Sequence, residues 1–230
     1  MASSLFALVL APASVAGPAA VTAGSPPILG RFLALDDPIP AQARALRHLE
    51  ARNDKFDMSA WMDVWTEIDA SGFHYRIVAE EGSDYIRSHV FREALEGERA
   101  IWASSAPDKA SFTPANYIFE DRGQTDGLAS LLVKPRRKDV LLIDGHIFLR
   151  PDDGELLRMA GELAKPPSWW TRRVRIVREF QRFAGVRMPV SLDAAANVRF
   201  FGPSWFRAVY EYETVNAERV GTPQLRAARR

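Results

Sequence analysis

The chain has 230 residues, 47% apolar and 26% charged, a balance that excludes disordered, collagen-like and polytopic membrane classes and leaves an ordinary globular domain. Its 30 Lys and Arg nearly cancel 29 Asp and Glu, so the formal net charge of +1 gives no global reason for a nucleic-acid partner and none is expected, while local basic patches stay open. With Cys 0 there is no disulfide framework, thiolate nucleophile, Cys-ligated metal or acylated cysteine, and 15 Pro with 14 Gly suit strands and turns better than a helical bundle.

Met1 to Gly30 carries no charged side chain, and Leu5 to Ala11 is a continuous apolar run too short to span a bilayer. Small residues follow, and Val21-Thr22-Ala23 fits a cleavage site, so a signal peptide is expected over 1–23. The segment before the apolar run lacks Lys and Arg, so a start codon set too far downstream or a non-secreted leader fits as well. Export would make the mature chain a soluble periplasmic protein beginning near Gly24, because no later segment approaches the roughly 18 apolar residues of a spanning helix. The expected organisation is a linker over 24–37, a single domain over 38–220 and a polar tail over 221–230.

The spacing predicts a first helix over Pro38–Arg52, with Asp37 as cap and Ala41, Ala45, Leu46 and Leu49 on one stripe. From Met58 to Ile68 the period becomes two, and after Ala70-Ser71-Gly72 a second alternating run, Phe73–Val78, completes a hairpin. Ser83–Ala103 returns to the helical period: Ile86, Val90, Phe91, Ala94, Leu95, Ile101 and Trp102 share a stripe opposite Arg87, Arg92, Glu93, Glu96 and Arg99. Inserted between strands, this helix must bury its stripe against a sheet. A polar loop covers Ser104–Ala115.

The remainder reads as strands: Asn116–Asp121, Leu128–Lys134, Val140–Ile143, His146–Arg150, Glu155–Ala164, Trp170–Arg182, Val186–Phe200 and Ser204–Val215. Asp144-Gly145 is the strongest hairpin signal, with further turns at Pro151–Gly154, Ala184-Gly185 and Gly202-Pro203-Ser204. Strands joined so tightly are antiparallel, and about ten in one sheet exceed what stays flat. The expected fold is therefore α+β: a highly curved antiparallel half-barrel covered by two helices.

In the strand Trp170–Arg182, Trp170, Val174, Ile176 and Phe180 share a face with Arg172, Arg178 and Arg182. With Val186, Met188, Val190 and Leu192, and then Phe206, Ala208, Tyr210 and Tyr212, this makes a concave face of aromatic, Met and aliphatic side chains. Such a face accommodates flexible apolar ligands, or simply packs as a core against the helices. The expected lining is Met62, Val64, Tyr75, Ile77, Phe119, Leu132, Met159, Val174, Ile176, Met188, Val190, Phe206 and Tyr210, with Ile86, Val90 and Leu95 from the helix.

Catalytic chemistry finds little support. His48, His74, His89 and His146 stand in no metal-ligating spacing, and G-x-S-x-G, phosphate-loop and G-x-G-x-x-G patterns are absent. No metal, no cofactor and no enzymatic activity are expected. Asp36-Asp37, Glu80-Glu81 and Asp152-Asp153 sit where capping explains them. The basic residues at Lys134–Lys138 and along Arg172–Arg182 read as a solvated face or as a docking patch for an acidic partner or anionic headgroup.

The order of elements, with Val133-Lys134-Pro135-Arg136-Arg137-Lys138, Asp144-Gly145-His146-Ile147-Phe148-Leu149, Leu156-Leu157-Arg158-Met159-Ala160-Gly161 and Phe180 to Val190, resembles the periplasmic outer-membrane lipoprotein-sorting proteins, the LolA-like carriers, over about Pro38–Val215. The resemblance implies a monomeric carrier whose apolar groove shelters a lipid or the acyl chains of a lipoprotein in transit to the outer membrane. It also implies membrane-anchored donor and acceptor proteins as partners. Two other readings stay open: an envelope sensor or scaffold with a filled half-barrel that binds protein, and a small enzyme joining a carboxylate to His74 or His146. A groove that admits and releases an apolar chain further requires the Ser83–Ala103 helix to move.

Overall fold

The computed structural model describes residues 27–103, 110–166 and 171–225. The expected signal peptide, most of the polar loop, Trp170 and the side chain of Arg172 lie outside the described residues. Among the described residues, eleven strands form one antiparallel sheet. In chain order they are β1 (Ala43–Asn53), β2 (Met58–Asp69), β3 (Gly72–Gly82), β4 (Tyr117–Thr125), β5 (Leu128–Pro135), β6 (Ile143–Leu149), β7 (Leu156–Leu163), β8 (Thr171–Phe183), β9 (Val186–Val198), β10 (Gly202–Val215) and the short β11 (Glu218–Arg219).

Their spatial order is β3-β2-β1-β10-β9-β8-β7-β6-β5-β4, with β11 beside β10. Two meanders thus meet where β1 pairs with β10 (Leu49 opposite Ala208), and β3 and β4 end the path. Bulges at Asp63/Val64, Asp121/Gln124, Phe148/Leu149 and Glu179/Phe180 bend the strands and curve the unclosed sheet into a half-barrel.

The chain crosses from edge β3 to edge β4 through one uninterrupted helical stretch: a single turn α2 (Asp84–Ile86), a π-helical segment (Arg87–Arg92) and α3 (Glu93–Ala103). We call the three together the cover helix. They bury Ile86, Phe91, Ala94 and Leu95 against the sheet, so the expected helix lies across the concave face.

The helix expected over Pro38–Arg52 is absent, and β1 occupies that place in the middle of the sheet. Ala, Leu, Arg and Glu favour a helix in isolation, but Ala43, Ala45, Leu49 and Ala51 also alternate. Hydrogen bonding to β2 on one side and β10 on the other settles the ambiguity in favour of the strand. The second covering helix is instead α1 (Pro27–Ala34), within the segment expected to be a linker, with Pro27 in its first turn and Leu29, Phe32 and Leu33 buried.

The hairpin expected at Asp144-Gly145 is also absent, so Val140–Ile143 and His146–Arg150 are not two strands: both residues lie inside β6, and the turn is the 136–142 loop. Gly145 faces Gly161 of β7, and a side chain on either would collide with the opposing backbone. These glycines serve close strand approach, not a turn.

Candidate functional site: an apolar concave face beneath a helix

Cross-strand register places Tyr75, Ile77, Val64, Met62, Leu49, Phe206, Tyr210, Leu192, Ala194, Ile176, Val174, Met159, Ile147, Leu131, Val133 and Phe119 on the concave side. Of the expected lining, Met62, Val64, Ile86, Leu95, Met159, Val174, Ile176, Met188, Phe206 and Tyr210 are buried in one continuous cluster. Tyr75, Ile77, Val90 and Phe119 pack half-buried against it.

Leu132 does not belong: it pairs with Glu120 and His146 on the convex face, while Leu131 and Val133 take the interior. The run Leu131-Leu132-Val133 is apolar throughout, so its period cannot say which residue points inward. Val190 sits at the β8–β9 bulge, where Glu179 faces Ser191 but Phe180 faces Pro189, and is half-buried outside the cluster.

A polar island lies in the centre of this apolar surface. Arg47 of β1 donates to Glu98 of the cover helix at 2.5 and 3.0 Å, with its guanidinium 5.2 Å from the Phe73 ring and 4.8 Å from that of Tyr210. Burial pulls Arg47 down, but the Glu98 carboxylate above all, with the Tyr210 phenol, holds the guanidinium above its ordinary value. Burial pushes Arg178 on β8 down and raises Tyr210 and Tyr212 above the ordinary phenol value. Tyr212 donates to the Pro189 carbonyl at 2.9 Å. The helical look of the 38–52 segment hides Arg47 in the sequence, and nothing local marks Glu98 as buried; the pairing spans 51 residues.

Polar ties flank the helix's apolar stripe. Ser83 caps its start, accepting from the Ile86 amide at 3.4 Å. Glu80 of β3 accepts from Arg87 at 3.0 Å and Arg92 at 2.7 Å, so it is an anchor for the π-helical segment and not the turn cap expected. Tyr75 donates to Glu96 at 2.7 Å, and Arg99 lies 4.8 Å over the Tyr75 ring. π-Helical turns recur at functional sites because they widen the helix and shift the register of its faces.

α1 covers the other half of the concavity by different means. Phe32 meets Phe112 edge-on at 6.4 Å, and Phe112 stacks on Tyr117 at 5.1 Å. Asp37, expected as a helix cap, instead joins a buried ion network: Arg187 bonds Asp37 at 2.8 Å and Glu155 at 2.9 Å, and Arg182 reaches Glu155 at 2.7 Å.

The histidines converge on no pocket chemistry. His48 is on β1, not a helix, and meets Asp63 at 2.8 Å on the convex side. His74 contacts Ser71 at 2.7 Å in an exposed turn where Asp69 accepts from the same hydroxyl at 2.5 Å. His146 lies in mid-strand, 6.3 Å from the Phe148 ring. Among the described residues no group of three or more acidic or histidine side chains stands close enough to hold a metal ion, and no helix is long and apolar enough to cross a membrane.

No family model and no curated protein matches the sequence. Among solved structures the chain is similar to the LolA superfamily protein of Nitrosomonas europaea, at 7% identity and TM-score 0.38 over 80% of this chain and 90% of that one. It is also similar to an outer membrane lipoprotein-sorting protein domain from Vibrio parahaemolyticus (11%, TM-score 0.38, 81% and 89%). A DUF1329 family protein from Desulfovibrio piger gives 9%, TM-score 0.39, 75% and 84%. At these scores the likeness is one of general plan and carries nothing about ligand or partner.

Proposed function

We propose that this protein is an exported, non-enzymatic carrier that holds one or more acyl chains, of a lipid or of a lipoprotein, against the concave face of its half-barrel, on a route to the outer membrane. The observation that supports this most is the combination of an unclosed sheet, a concave surface that is largely apolar around the central Arg47–Glu98 pair, and a helix tied across it by further polar links at its flanks. A core intended only to stay shut would gain more from apolar contacts than from a buried Arg47–Glu98 pair, whose desolvation offsets much of its attraction. Each methylene sheltered there removes about 0.8 kcal/mol of unfavourable hydration, so a single chain is held without covalent chemistry.

Lipid extraction and native mass spectrometry of the purified protein test the reading. A stoichiometric acyl lipid, or saturable uptake of a fluorescent fatty acid, is expected. A lipid-free protein that takes up no probe would overturn the carrier reading and leave a filled half-barrel acting as a scaffold.

A further inference from the structure

The two ends of the half-barrel differ in composition. At the end where the cover helix begins, the β1–β2 and β9–β10 turns lie side by side, because Asn53 pairs with Ser204. Phe56 is 50% exposed there and Phe200 75%. Phe201 meets Phe56 at 5.5 Å and stacks on Tyr85, the first aromatic of the cover helix, at 5.8 Å. The opposite end turns through Ala70-Ser71, Asp126-Gly127, Asp152-Asp153, Ala184-Gly185 and Asn216-Ala217, small or polar residues throughout.

Cations stand among the aromatic rings. Lys55 lies 5.3 Å from the Phe56 ring and donates to the Phe200 carbonyl at 2.7 Å, and Arg52 lies 5.4 Å from the Trp205 ring. Arg199 is exposed beside Phe200, and Asp54, one of the two acids in the β1–β2 turn, is paired with Arg52 at 3.5 Å. Phe200 itself has φ 71, the left-handed region that disfavours bulky side chains. The ring is 75% exposed and gains little burial in the fold, and its backbone is strained; both costs point to a use of the ring outside the chain.

We infer that this aromatic rim is a membrane-contact surface: Phe200 and Phe56 enter the interfacial zone of a bilayer, while Lys55 and Arg199 meet anionic headgroups. Aromatic tips backed by Lys and Arg match that zone, which is apolar on one side and charged on the other. A protein groove would ask instead for one continuous apolar face. The inference does not depend on the carrier reading, although the rim adjoins the start of the cover helix.

Co-flotation of the full chain with vesicles of phosphatidylethanolamine and phosphatidylglycerol, or of phosphatidylcholine alone, tests it. Binding to the anionic vesicles is expected, weaker binding to the neutral ones, and a loss of about tenfold or more in the Phe56→Ser/Phe200→Ser double variant at unchanged thermal stability. Lys55→Glu should weaken binding less, and only at low salt. No flotation with either vesicle, equal flotation of wild type and double variant, or a rim whose only consequence is self-association relieved by Phe200→Ser would each overturn the inference. The acyl content of the double variant should stay unchanged, which separates a failure of the rim from a failure of the carrier reading.

Discussion

Two helices cover the same concave sheet, and they are held in opposite ways. α1 is short, yet it is locked by Phe32 against Phe112 and by the Asp37–Arg187–Glu155–Arg182 network, in which the Arg187 and Asp37 side chains are 0% and 3% exposed. The cover helix is more than twice as long, but Val90 and Trp102 stay half-buried, and outside its centre it is tied to the sheet by solvent-accessible links, Tyr75–Glu96 and Arg92–Glu80. A buried ion pair is costly to break, whereas an exposed one exchanges readily with solvent. The cover helix has one comparable hold, the buried Arg47–Glu98 pair at its centre, so the contrast leads us to expect α1 to stay in the core and the cover helix to loosen first, from its ends.

The most severe way to test that contrast is to break the lock. Arg187→Ala leaves Asp37 and Glu155 buried without their shared cation, and should lower global stability by about 3–5 kcal/mol in urea unfolding. A mild effect would mean that α1 is no better held than the cover helix.

Val90→Asp should cost on the order of 2 kcal/mol, but locally, by placing a charge in the apolar contact. Circular dichroism should retain the sheet signal while bound acyl chain is lost. Global unfolding instead would show that the helix is integral to the core.

Alkaline titration reports on both halves at once. Burial raises Tyr117 beside α1, and Tyr210 and Tyr212 beneath the cover helix, above the ordinary value of 10.0. Above pH 10 the unfolded chain releases these protons while the folded chain keeps them, so stability is intact below pH 10 and falls as pH rises, by about 1.4 kcal/mol per tyrosine per unit. Absorbance at the phenolate band should rise together with unfolding. Ionisation near pH 10 in the folded state would contradict the burial of these rings.

The smallest effect is a control that touches neither cover. Phe200→Gly relieves a left-handed backbone at an exposed tip, so stability should hold or rise by up to about 1 kcal/mol in thermal denaturation.

What the sequence made legible was whatever depends on local period. The Met58–Ile68 alternation, the helical stripe of Ile86, Val90, Phe91, Ala94, Leu95 and Trp102, and the inward set Val174, Ile176, Phe180 stand where the spacing places them, whereas Ile101 of the expected stripe lies outside the core cluster. What it hid depends on partners far along the chain. β1 looks helical until it is set between β2 and β10, Gly145 looks like a turn until Gly161 faces it, and Leu132 cannot be told from Leu131 without its neighbour Glu120. The Arg47–Glu98 bridge joins a misread strand to a residue on a helix's buried side, and no pattern within either segment announces it.

Hydrogen exchange across Asp84–Ala103, measured with and without an added fatty acid and compared with Thr171–Phe183 of β8, tests the central claim most directly. The account predicts that the cover helix exchanges well before β8 and slows when the acyl chain is bound, at a cost of opening far below global unfolding. Protection equal to that of β8, unchanged by the fatty acid, would mean that the helix is a fixed part of the core and that the concave face does not open.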